Sequence, residues 1–433
     1  MLLEIRKALP ATLLCCWSGK FNTPLSINTT TRINIKINAS TNKVNLYTRL
    51  SELSYLQGEP HLRAELKREI SDFCVDEELG FDLSGKGEHL CVQVRKKDLS
   101  TNDVAKKLSD LTGAEIHKIS YSGMKDKCAE CTQWFSIQLP ITTSRSKQIQ
   151  LDAAILRPLL KSENSNSSEN KPVMKELVIL KFQRNSRKIK LGSHKLNHFK
   201  ILLRNCVGSK DDFDTRLSSM LTKGIPNYFG PQRFGKNLSN LVQVSELMDA
   251  ALNNAEKVSV DAKSNAKRSA DLGRRKRSML FSAARSYLFN QLLSERLKSQ
   301  TWSQYIKGDV LNLQGTSRYF SLKGDQSWDK ELQERLNTFD IHITGPLPGL
   351  RDPKDRYLCS GEAADIEDAT LKLHDSLLRG LKYFDLRESR RPLRFLPSNL
   401  HWDWVMEKDL ELTFALPRGT YATSLLRELC VTD

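Results

Sequence analysis

The sequence predicts an α+β fold in which a mainly helical insertion interrupts a β-rich domain. Residues 89–94 and 132–139 alternate apolar and polar side chains, as half-buried strands do. Residues 238–252, 283–297 and 364–381 instead repeat apolar side chains with helical spacing. Alternation returns only at residues 411–416, and a helix over residues 423–429 follows. The order along the chain is therefore β-rich, helical and β-rich again.

The first β-rich part is predicted to contain several strands and one early helix. We expect Asn102 to cap that helix and Gly113 to end it, with Val104, Leu108 and Leu111 on its apolar face. Further strands are predicted over residues 176–182 and 199–204. The polar run at residues 162–170 is typical of a loop.

A helix predicted over residues 214–222 marks the boundary of the insertion. Gly224 and Pro226 follow it directly, and both residue types end helices. We therefore predict a discontinuous β-rich domain over residues 46–224 and 385–433, with the insertion over residues 225–384.

Residues 1–45 differ in composition from the rest of the chain. The first fifty residues contain Glu4 as their single acid and seven basic residues, namely Arg6, Lys7, Lys20, Arg32, Lys36, Lys43 and Arg49. We expect a disordered N-terminal extension and a cytoplasmic protein. The alternative is a mitochondrial transit peptide, which has a similar composition.

The chain carries a large positive charge. It has 67 Lys and Arg against 51 Asp and Glu, a formal net charge of +16. Such a surplus favours a polyanionic partner, most often nucleic acid, although a basic solvated surface is the alternative. The sequence contains no run of about eighteen apolar residues, so its pattern does not predict a membrane-spanning helix.

The basic residues form two clusters. The first cluster covers residues 176–211, and no acid lies between Glu176 and Asp211. It contains nine basic residues: Lys181, Arg184, Arg187, Lys188, Lys190, Lys195, Lys200, Arg204 and Lys210. The second cluster, over residues 256–277, is either a second RNA contact or a solvated loop. We expect the first cluster to follow a phosphate backbone, with Arg184, Arg187 and Lys188 among its contacts.

The cysteines predict neither a metal site nor a disulfide framework. The chain has nine, and only Cys128 and Cys131 have C-x-x-C spacing. A four-thiolate zinc site needs a second such pair, which is missing. The scatter is typical of reduced intracellular thiols.

Motifs for cofactor-dependent chemistry are also missing from the sequence. It has no G-x-x-x-x-G-K-[ST] phosphate loop, no G-x-G-x-x-G after a strand, and no H-E-x-x-H. A carboxylate cluster, which a two-metal nuclease needs, is not evident. These absences favour a mechanism that uses one or two side chains without a cofactor or metal.

One candidate for such a side chain is Asp126. It lies between Lys125 and Lys127, shortly after Gly123, in a turn between two predicted strands. Neighbouring cations favour the ionised carboxylate that a nucleophile or general base requires. The alternative is an ordinary Gly-Lys-Asp hairpin.

Residues 123–129 (GMKDKCA) resemble the G-x-K-D-x-x-A signature of the TruD family of pseudouridine synthases. This chain has Cys131 where members of the family usually have Thr. Further segments resemble family motifs in the same order: residues 53–58 (LSYLQG), 71–73 (SDF), 85–89 (GKGEH), 197–199 (NHF), 227–235 (NYFGPQRFG), 284–290 (ARSYLFN) and 416–423 (LPRGTYAT). The similarity extends from about residue 46 to the C-terminus, without residues 162–170 and part of residues 253–274.

The resemblance implies an RNA-modifying enzyme with a specific fold. Members isomerise uridine to pseudouridine in tRNA, at uridine 13 in the D-arm region, without a cofactor or metal. Asp126 is implied to be the nucleophile, attacking either C6 of the uracil or C1′ of the ribose. The implied fold is the pseudouridine-synthase catalytic domain, circularly permuted and mainly antiparallel, interrupted by a family-specific TRUD insertion domain.

The resemblance also implies a uridine pocket lined by Phe73, Asn197, Phe199 and Tyr421. Aromatic faces suit an extruded base, and an amide suits its polar edge. Position 421 is Phe in better-known members, so the ring is kept here and a hydroxyl is added. For Phe73 and Phe199, packing within a core is the alternative. The competing functions are a non-catalytic tRNA-binding or RNA-folding protein and, less favoured, a metal-dependent nuclease.

Overall fold

The computed structural model describes residues 50–160, 176–256, 273–322, 326–351 and 358–432. The predicted N-terminal extension, the polar loop at residues 162–170 and most of the second basic cluster lie outside them. The described residues form sixteen strands and nine α-helices, together with short 3-10 helices at Ile70–Asp72, Ile116–Lys118, Arg157–Leu159, Pro231–Phe234 and Lys236–Leu238.

The strands are β1 (Arg63–Leu66), β2 (Phe73–Leu79), β3 (His89–Lys97), β4 (Ile119–Tyr121), β5 (Glu130–Gln138), β6 (Glu176–Asn185), β7 (His194–Val207), β8 (Ile225–Pro226), β9 (Leu311–Leu313), β10 (Tyr319–Phe320), β11 (Ile341–Leu347), β12 (Ser389–Pro392), β13 (Arg394–Phe395), β14 (Ser398–Trp404), β15 (Leu410–Pro417) and β16 (Val431–Thr432). The helices are α1 (Thr101–Thr112), α2 (Arg145–Leu156), α3 (Lys210–Lys223), α4 (Ser239–Glu256), α5 (Arg274–Lys298), α6 (Lys330–Asn337), α7 (Gly361–Lys372), α8 (Asp375–Tyr383) and α9 (Ala422–Leu429).

A ten-stranded sheet forms the main scaffold. Its central order is β14-β15-β7-β2-β5-β3-β6. Outside this order, β1 pairs with β7 and β16, and β4 pairs with β5. Most pairs are antiparallel, but β2 and β5 run parallel, as do β1 and β16. Helices α3 and α9 pack on one part of the sheet with β2, β7 and β15. Helix α1 packs on β3, β4 and β5.

The position of α1 was predicted correctly from the sequence, but its N-cap residue was not. Ser100, not Asn102, is the N-cap: its side chain accepts a hydrogen bond from the Asp103 N–H, and the Asp103 carboxylate accepts one from the Ser100 N–H. Gly113 ends the helix as predicted, with a left-handed φ of 69°. Val104 and Leu108 are buried on the predicted apolar face.

The segment between α3 and β12 contains more β-structure than the sequence suggested. A four-stranded sheet in the order β10-β9-β11-β12 packs with helices α4 and α5 around a separate core cluster. Strand β11 is buried along almost its whole length, so it has no alternation to detect. The single helix predicted over residues 364–381 is wrong, because His374 has a non-helical backbone and separates α7 from α8. The domain boundaries near residues 225 and 384 remain predictions.

No helix within the described ranges combines the length and apolar character needed to cross a bilayer.

Candidate active site

The predicted Asp126 turn lies between β4 and β5. Strand β5 begins just after the turn and pairs in parallel with β2, with Cys74 opposite Glu130. This register places Asp126, four residues before Glu130, close to the start of β2. Phe73 is the first residue of that strand. The nucleophile candidate and the first pocket candidate are therefore neighbours in space.

The Asp126 side chain is accessible and oriented by a lysine distant in sequence. It is 58% exposed, and its Oδ2 accepts a hydrogen bond from Lys67 Nζ at 2.7 Å. The same ammonium lies 4.2 Å from the centre of the Phe73 ring. Lys67 has a left-handed φ of 60°, a conformation that is strained for a lysine and that often marks functional positions.

The two lysines adjacent to Asp126 have other partners. Lys125 pairs with Glu77 at 2.6 Å, and these side chains are 6% and 0% exposed. Lys127 Nζ lies 3.9 Å from Asp98. The expectation that sequence neighbours supply the cations beside Asp126 is therefore wrong in detail, because Lys67 forms the ion pair.

The backbone of the turn is held by several buried side chains. The Asp126 carbonyl accepts a hydrogen bond from Lys96 Nζ at 2.5 Å, and the fully buried Lys96 also donates to Leu99 O at 2.7 Å. Burial lowers the pKa of Lys96 below its ordinary value. Thr101 Oγ1 accepts from the Lys125 N–H at 3.0 Å. The backbone position of Asp126 is thus fixed independently of its carboxylate.

Gly123 occupies a tightly packed position at the start of the turn. A Cβ at this position would lie 3.2 Å from Lys125 Nζ, 3.3 Å from His194 Cε1 and 3.4 Å from Glu77 Oε2. Its carbonyl accepts a hydrogen bond from Gln133 Nε2 at 2.5 Å. A side chain would therefore push against the buried Lys125–Glu77 pair.

Phe73 and Phe199 form an aromatic cluster close to Asp126. Their ring centres lie 6.0 Å apart at an edge-to-face angle of 75°. Phe199 also stacks on Phe414, with 5.1 Å between ring centres. Phe73 is buried, whereas Phe199 is half-buried. Phe73 therefore has a clear packing role, and Phe199 keeps exposed surface for a ligand.

Asn197 lies two residues before Phe199 on β7, so both point to the same face of the sheet. It pairs with Glu77 on one side and Leu416 on the other. Its Oδ1 is buried and forms no hydrogen bond with any described residue. Since buried polar atoms normally have a partner, this oxygen is available to a donor from a ligand.

Tyr421 is the N-cap residue of α9, and its ring packs edge-on against Phe229 at 5.8 Å. Its hydroxyl accepts a hydrogen bond from Arg233 Nε at 3.0 Å. Tyr421 is linked to the Asp126 turn by the loop after β15. In that loop Arg418 donates to Gly192 O at 2.8 Å, and the Gly192 N–H donates to Ser122 O at 2.5 Å.

The first basic cluster contains both structural and exposed residues. Arg184 is buried and forms a bidentate ion pair with Asp152, at 2.7 Å and 2.5 Å. Its expected role as a phosphate contact is therefore wrong. Between β6 and β7, however, three basic side chains are exposed and lack an ion-pair partner among the described residues: Arg187, Lys188 and Lys190.

The C-x-x-C pair does not form a metal centre in the described part of the chain. Cys128 is exposed, whereas Cys131 is buried, and burial raises the pKa of the Cys131 thiol to about 11. No group of three or more His, Cys, Asp or Glu residues suitable for a metal occurs among the described residues.

Sequence reasoning missed three residues that shape this site: Lys67, Glu77 and Lys96. Lys67 is 59 positions from Asp126, and Glu77 is 48 positions from Lys125. No local pattern predicts such contacts. The pairing of β5 with both β2 and β3 brings these residues close to the turn.

The family can be identified from the whole chain. The model of the family described as tRNA pseudouridine synthase D (TruD) matches residues 49–257 and 244–429. The chain belongs to the tRNA pseudouridine synthase D family. The predicted Asp126 turn and all four predicted pocket residues lie inside the matched ranges.

Individual proteins of this family are similar over most of their length. A tRNA pseudouridine synthase D of Hydrogenovibrio crunogenus is 33% identical over 380 residues, covering 88% of this chain and 96% of that protein. One from Xanthomonas campestris pv. campestris is 37% identical over 376 residues, covering 85% and 91%.

A crystal structure supports the fold. A candidate tRNA pseudouridine synthase D from Methanosarcina mazei superposes with a TM-score of 0.60 at 21% identity, covering 87% of this chain and 95% of that one. The α+β class predicted from the sequence is thereby confirmed for this TruD-family chain.

Proposed function

We propose that this chain isomerises uridine 13 of tRNA to pseudouridine, with Asp126 as the nucleophile and without a cofactor or metal. Membership of the tRNA pseudouridine synthase D family supports the reaction and the RNA substrate. The positive net charge of +16 supports a nucleic-acid partner independently of the family.

The observation that carries the proposal is the setting of the Asp126 carboxylate. A nucleophilic carboxylate has to be ionised, oriented and open to the substrate. Asp126 is 58% exposed, and its Oδ2 is oriented by Lys67 at 2.7 Å. Its backbone is held from beneath by the buried Lys96. The other carboxylate oxygen is therefore available to attack a base placed beside Phe73 and Phe199.

In the proposed reaction, Asp126 attacks either C6 of the uracil or C1′ of the ribose. The bond between N1 and C1′ breaks, the base rotates, and a new bond joins C5 to C1′. The proton on C5 is then lost, N1 gains a proton, and Asp126 is released unchanged. The reaction is an isomerisation, so it consumes no oxidant, reductant or water.

The pocket residues have distinct proposed roles. Phe199 and Tyr421 offer ring faces to the extruded base, while Phe73 supports Phe199 and shields the Lys67–Asp126 pair. Asn197, with its unpaired buried Oδ1, accepts a hydrogen bond from an N–H of the uracil. The Tyr421 hydroxyl is occupied by Arg233.

The test is Asp126→Asn, which keeps the size of the side chain and removes its nucleophilic charge. Pseudouridine formation in tRNA, mapped at nucleotide resolution, should vanish while tRNA binding persists. The matched control is Asp76→Asn, an exposed carboxylate on the opposite face of β2, which should retain full activity. Turnover by Asp126→Asn above the background of a host lacking its own enzyme would overturn the assignment.

A non-catalytic tRNA-binding or RNA-folding protein is the competing function. A binder gains nothing from an exposed carboxylate facing a phosphate-rich ligand, because the two repel each other. If the unaltered protein binds tRNA tightly and forms no pseudouridine in any tRNA, the binding function is correct. Adding a chelator tests the metal-free mechanism, since the rate should stay unchanged.

We place this activity in the cytoplasm, with mitochondria as the alternative if residues 1–45 act as a transit peptide. Fluorescent fusions with and without residues 1–45 distinguish the two. A mitochondrial signal that disappears on deletion would assign the chain to that compartment.

A further inference from the structure

Arg233 and Arg391 lie together next to Tyr421, and both are half-buried. Arg391 lies 4.1 Å from the centre of the Phe229 ring, and Arg233 lies 5.4 Å from it. Arg233 is also 5.8 Å from the centre of the Tyr421 ring. Two guanidinium groups therefore surround the aromatic pair formed by Phe229 and Tyr421.

Neither arginine has an acidic partner among the described residues. Arg233 donates to the Tyr421 hydroxyl and, at 3.3 Å, to Ser282 Oγ. Arg391 donates to Asn227 O at 3.2 Å and to Asn227 Oδ1. All of these acceptors are neutral, so two positive charges lie side by side without compensation.

Three of the five other arginines that are buried among the described residues pair with carboxylates at 2.5 to 2.9 Å: Arg184 with Asp152, Arg296 with Asp309, and Arg390 with Glu367. The remaining two, Arg216 and Arg394, donate to backbone carbonyls. Placing a charge in a poorly solvated position without a counter-ion is unfavourable. An uncompensated pair of arginines is therefore a site that an anion would stabilise.

The charge of Arg391 is perturbed as this arrangement predicts. Burial lowers the pKa of Arg391 to about 10, and the nearby Arg233 contributes to the lowering. Arg391 remains protonated at neutral pH, and an anion bound beside it would raise its pKa again.

The pair faces the loop that leads to the candidate active site. A Cβ on Gly419 would lie 3.7 Å from Arg391 Nη1, so the loop after β15 passes close to this nitrogen. Nη1 forms no hydrogen bond with the described residues. Arg418 in the same loop binds Gly192 O, and Gly192 binds Ser122 in the Asp126 turn. The arginine pair and the Asp126 turn are thus connected through the loop after β15 and Gly192.

We propose that Arg233 and Arg391 bind one backbone phosphodiester adjoining the uridine that is isomerised. This inference rests on the proposed function, because it takes RNA as the ligand. Guanidinium groups match the oxygens of a phosphodiester with paired hydrogen bonds. A nucleotide whose base is extruded against Tyr421 has a phosphate on each side of its ribose. A contact between the two arginines and one of these phosphates would fix the nucleotide while its base rotates.

The test replaces single phosphate charges in the RNA. Full-length tRNAs are assembled with one uncharged methylphosphonate at each of the three linkages on either side of uridine 13. Their affinities are measured with Asp126→Asn protein, so that no turnover occurs. We expect one linkage, next to uridine 13, at which the replacement weakens binding roughly tenfold. With Arg391→Gln or Arg233→Gln added, the same replacement should have no further effect.

Arg394→Gln is the matched control. Arg394 is also a buried arginine, lies 4.3 Å from the centre of the Phe339 ring and forms no ion pair with a described residue, but it is only 6% exposed. Its removal should leave the methylphosphonate profile unchanged. If circular dichroism shows that Arg391→Gln does not fold, Arg233→Gln takes its place.

Two results would overturn the inference. One is a profile in which no linkage weakens binding, and the other is an effect that persists undiminished in the Arg233 and Arg391 variants. Failure of the proposed function has a different signature, because the unaltered protein would then make no pseudouridine in unmodified tRNA, whatever the binding profile shows.

Discussion

The buried ion pair between Lys125 and Glu77 should control both the stability of the protein and the position of its nucleophile. The two charged atoms are 2.6 Å apart, and the side chains are 6% and 0% exposed. Glu77 Oε1 also accepts the Trp134 N–H at 3.0 Å. Removing one partner leaves the other charge buried and unpaired, which costs about 3–5 kcal/mol in comparable cases.

The change to test first is Glu77→Gln, because the amide oxygen can still accept the Trp134 N–H. Glu77→Gln and Lys125→Met should each lower the free energy of unfolding by about 3 kcal/mol. The double variant has no unpaired charge, so it should lie within about 1–2 kcal/mol of the unaltered protein, and the coupling energy should be large.

The assay is urea unfolding followed by tryptophan fluorescence, combined with single-turnover pseudouridine formation. Stability should return in the double variant, but the rate should stay low, since Lys125 no longer anchors the turn next to Asp126. The reasoning is refuted if each single change costs less than about 1 kcal/mol, or if the two costs simply add.

Three further changes probe other parts of the molecule. Burial, with Arg394 nearby, lowers the pKa of His342 from 6.5 to about 4. The unfolded chain therefore takes up this proton first, and the free energy of unfolding should fall as the pH drops from 6.5 to 4, by about 3 kcal/mol. In urea titrations at each pH, the His342→Gln variant should not show this fall in the free energy of unfolding. If the variant and the unaltered protein have the same pH dependence, the assignment to His342 is wrong. Tyr421→Phe keeps the ring, so kcat/KM should fall far less than in Tyr421→Ala, where lost stacking costs about tenfold or more; equal losses would exclude stacking. Three exposed basic residues are replaced together with Ser: Arg187, Lys188 and Lys190. The change should weaken binding of all tRNAs alike and flatten the log–log salt slope by roughly 0.7–0.9 per lost contact. An unchanged slope would mean that the RNA binds elsewhere on the protein.

The sequence predicted local structure wherever a local pattern exists. Alternation located β3, β5 and β15, and Gly113 and Gly224 marked the ends of α1 and α3 correctly. It failed where burial removes the pattern, as in β11, in which six of the seven residues are buried. It also failed at His374, where the helical repeat continues although the backbone breaks.

The roles and partners of individual charged side chains were predicted least well from the sequence. Arg184 and Arg187 look alike in the sequence, but Arg184 is buried against Asp152, whereas Arg187 is exposed. The lysines beside Asp126 likewise suggested its ion pair, which Lys67 forms instead. A net charge predicts the class of partner, but it does not say which side chains reach that partner.

The sequence by itself determined the α+β class, the family and the candidate residues, because strand alternation, helix ends and ordered motifs are all written along the chain. The tertiary structure decided which side chains surround Asp126. Lys67 and Lys96 reach it only because β2 and β3 both lie beside β5 in the folded sheet. Likewise, only packing brought Arg233 and Arg391 to the same ring without an acid between them. Contacts between distant residues depend on strand order and register, and one chain's spacing does not encode these locally.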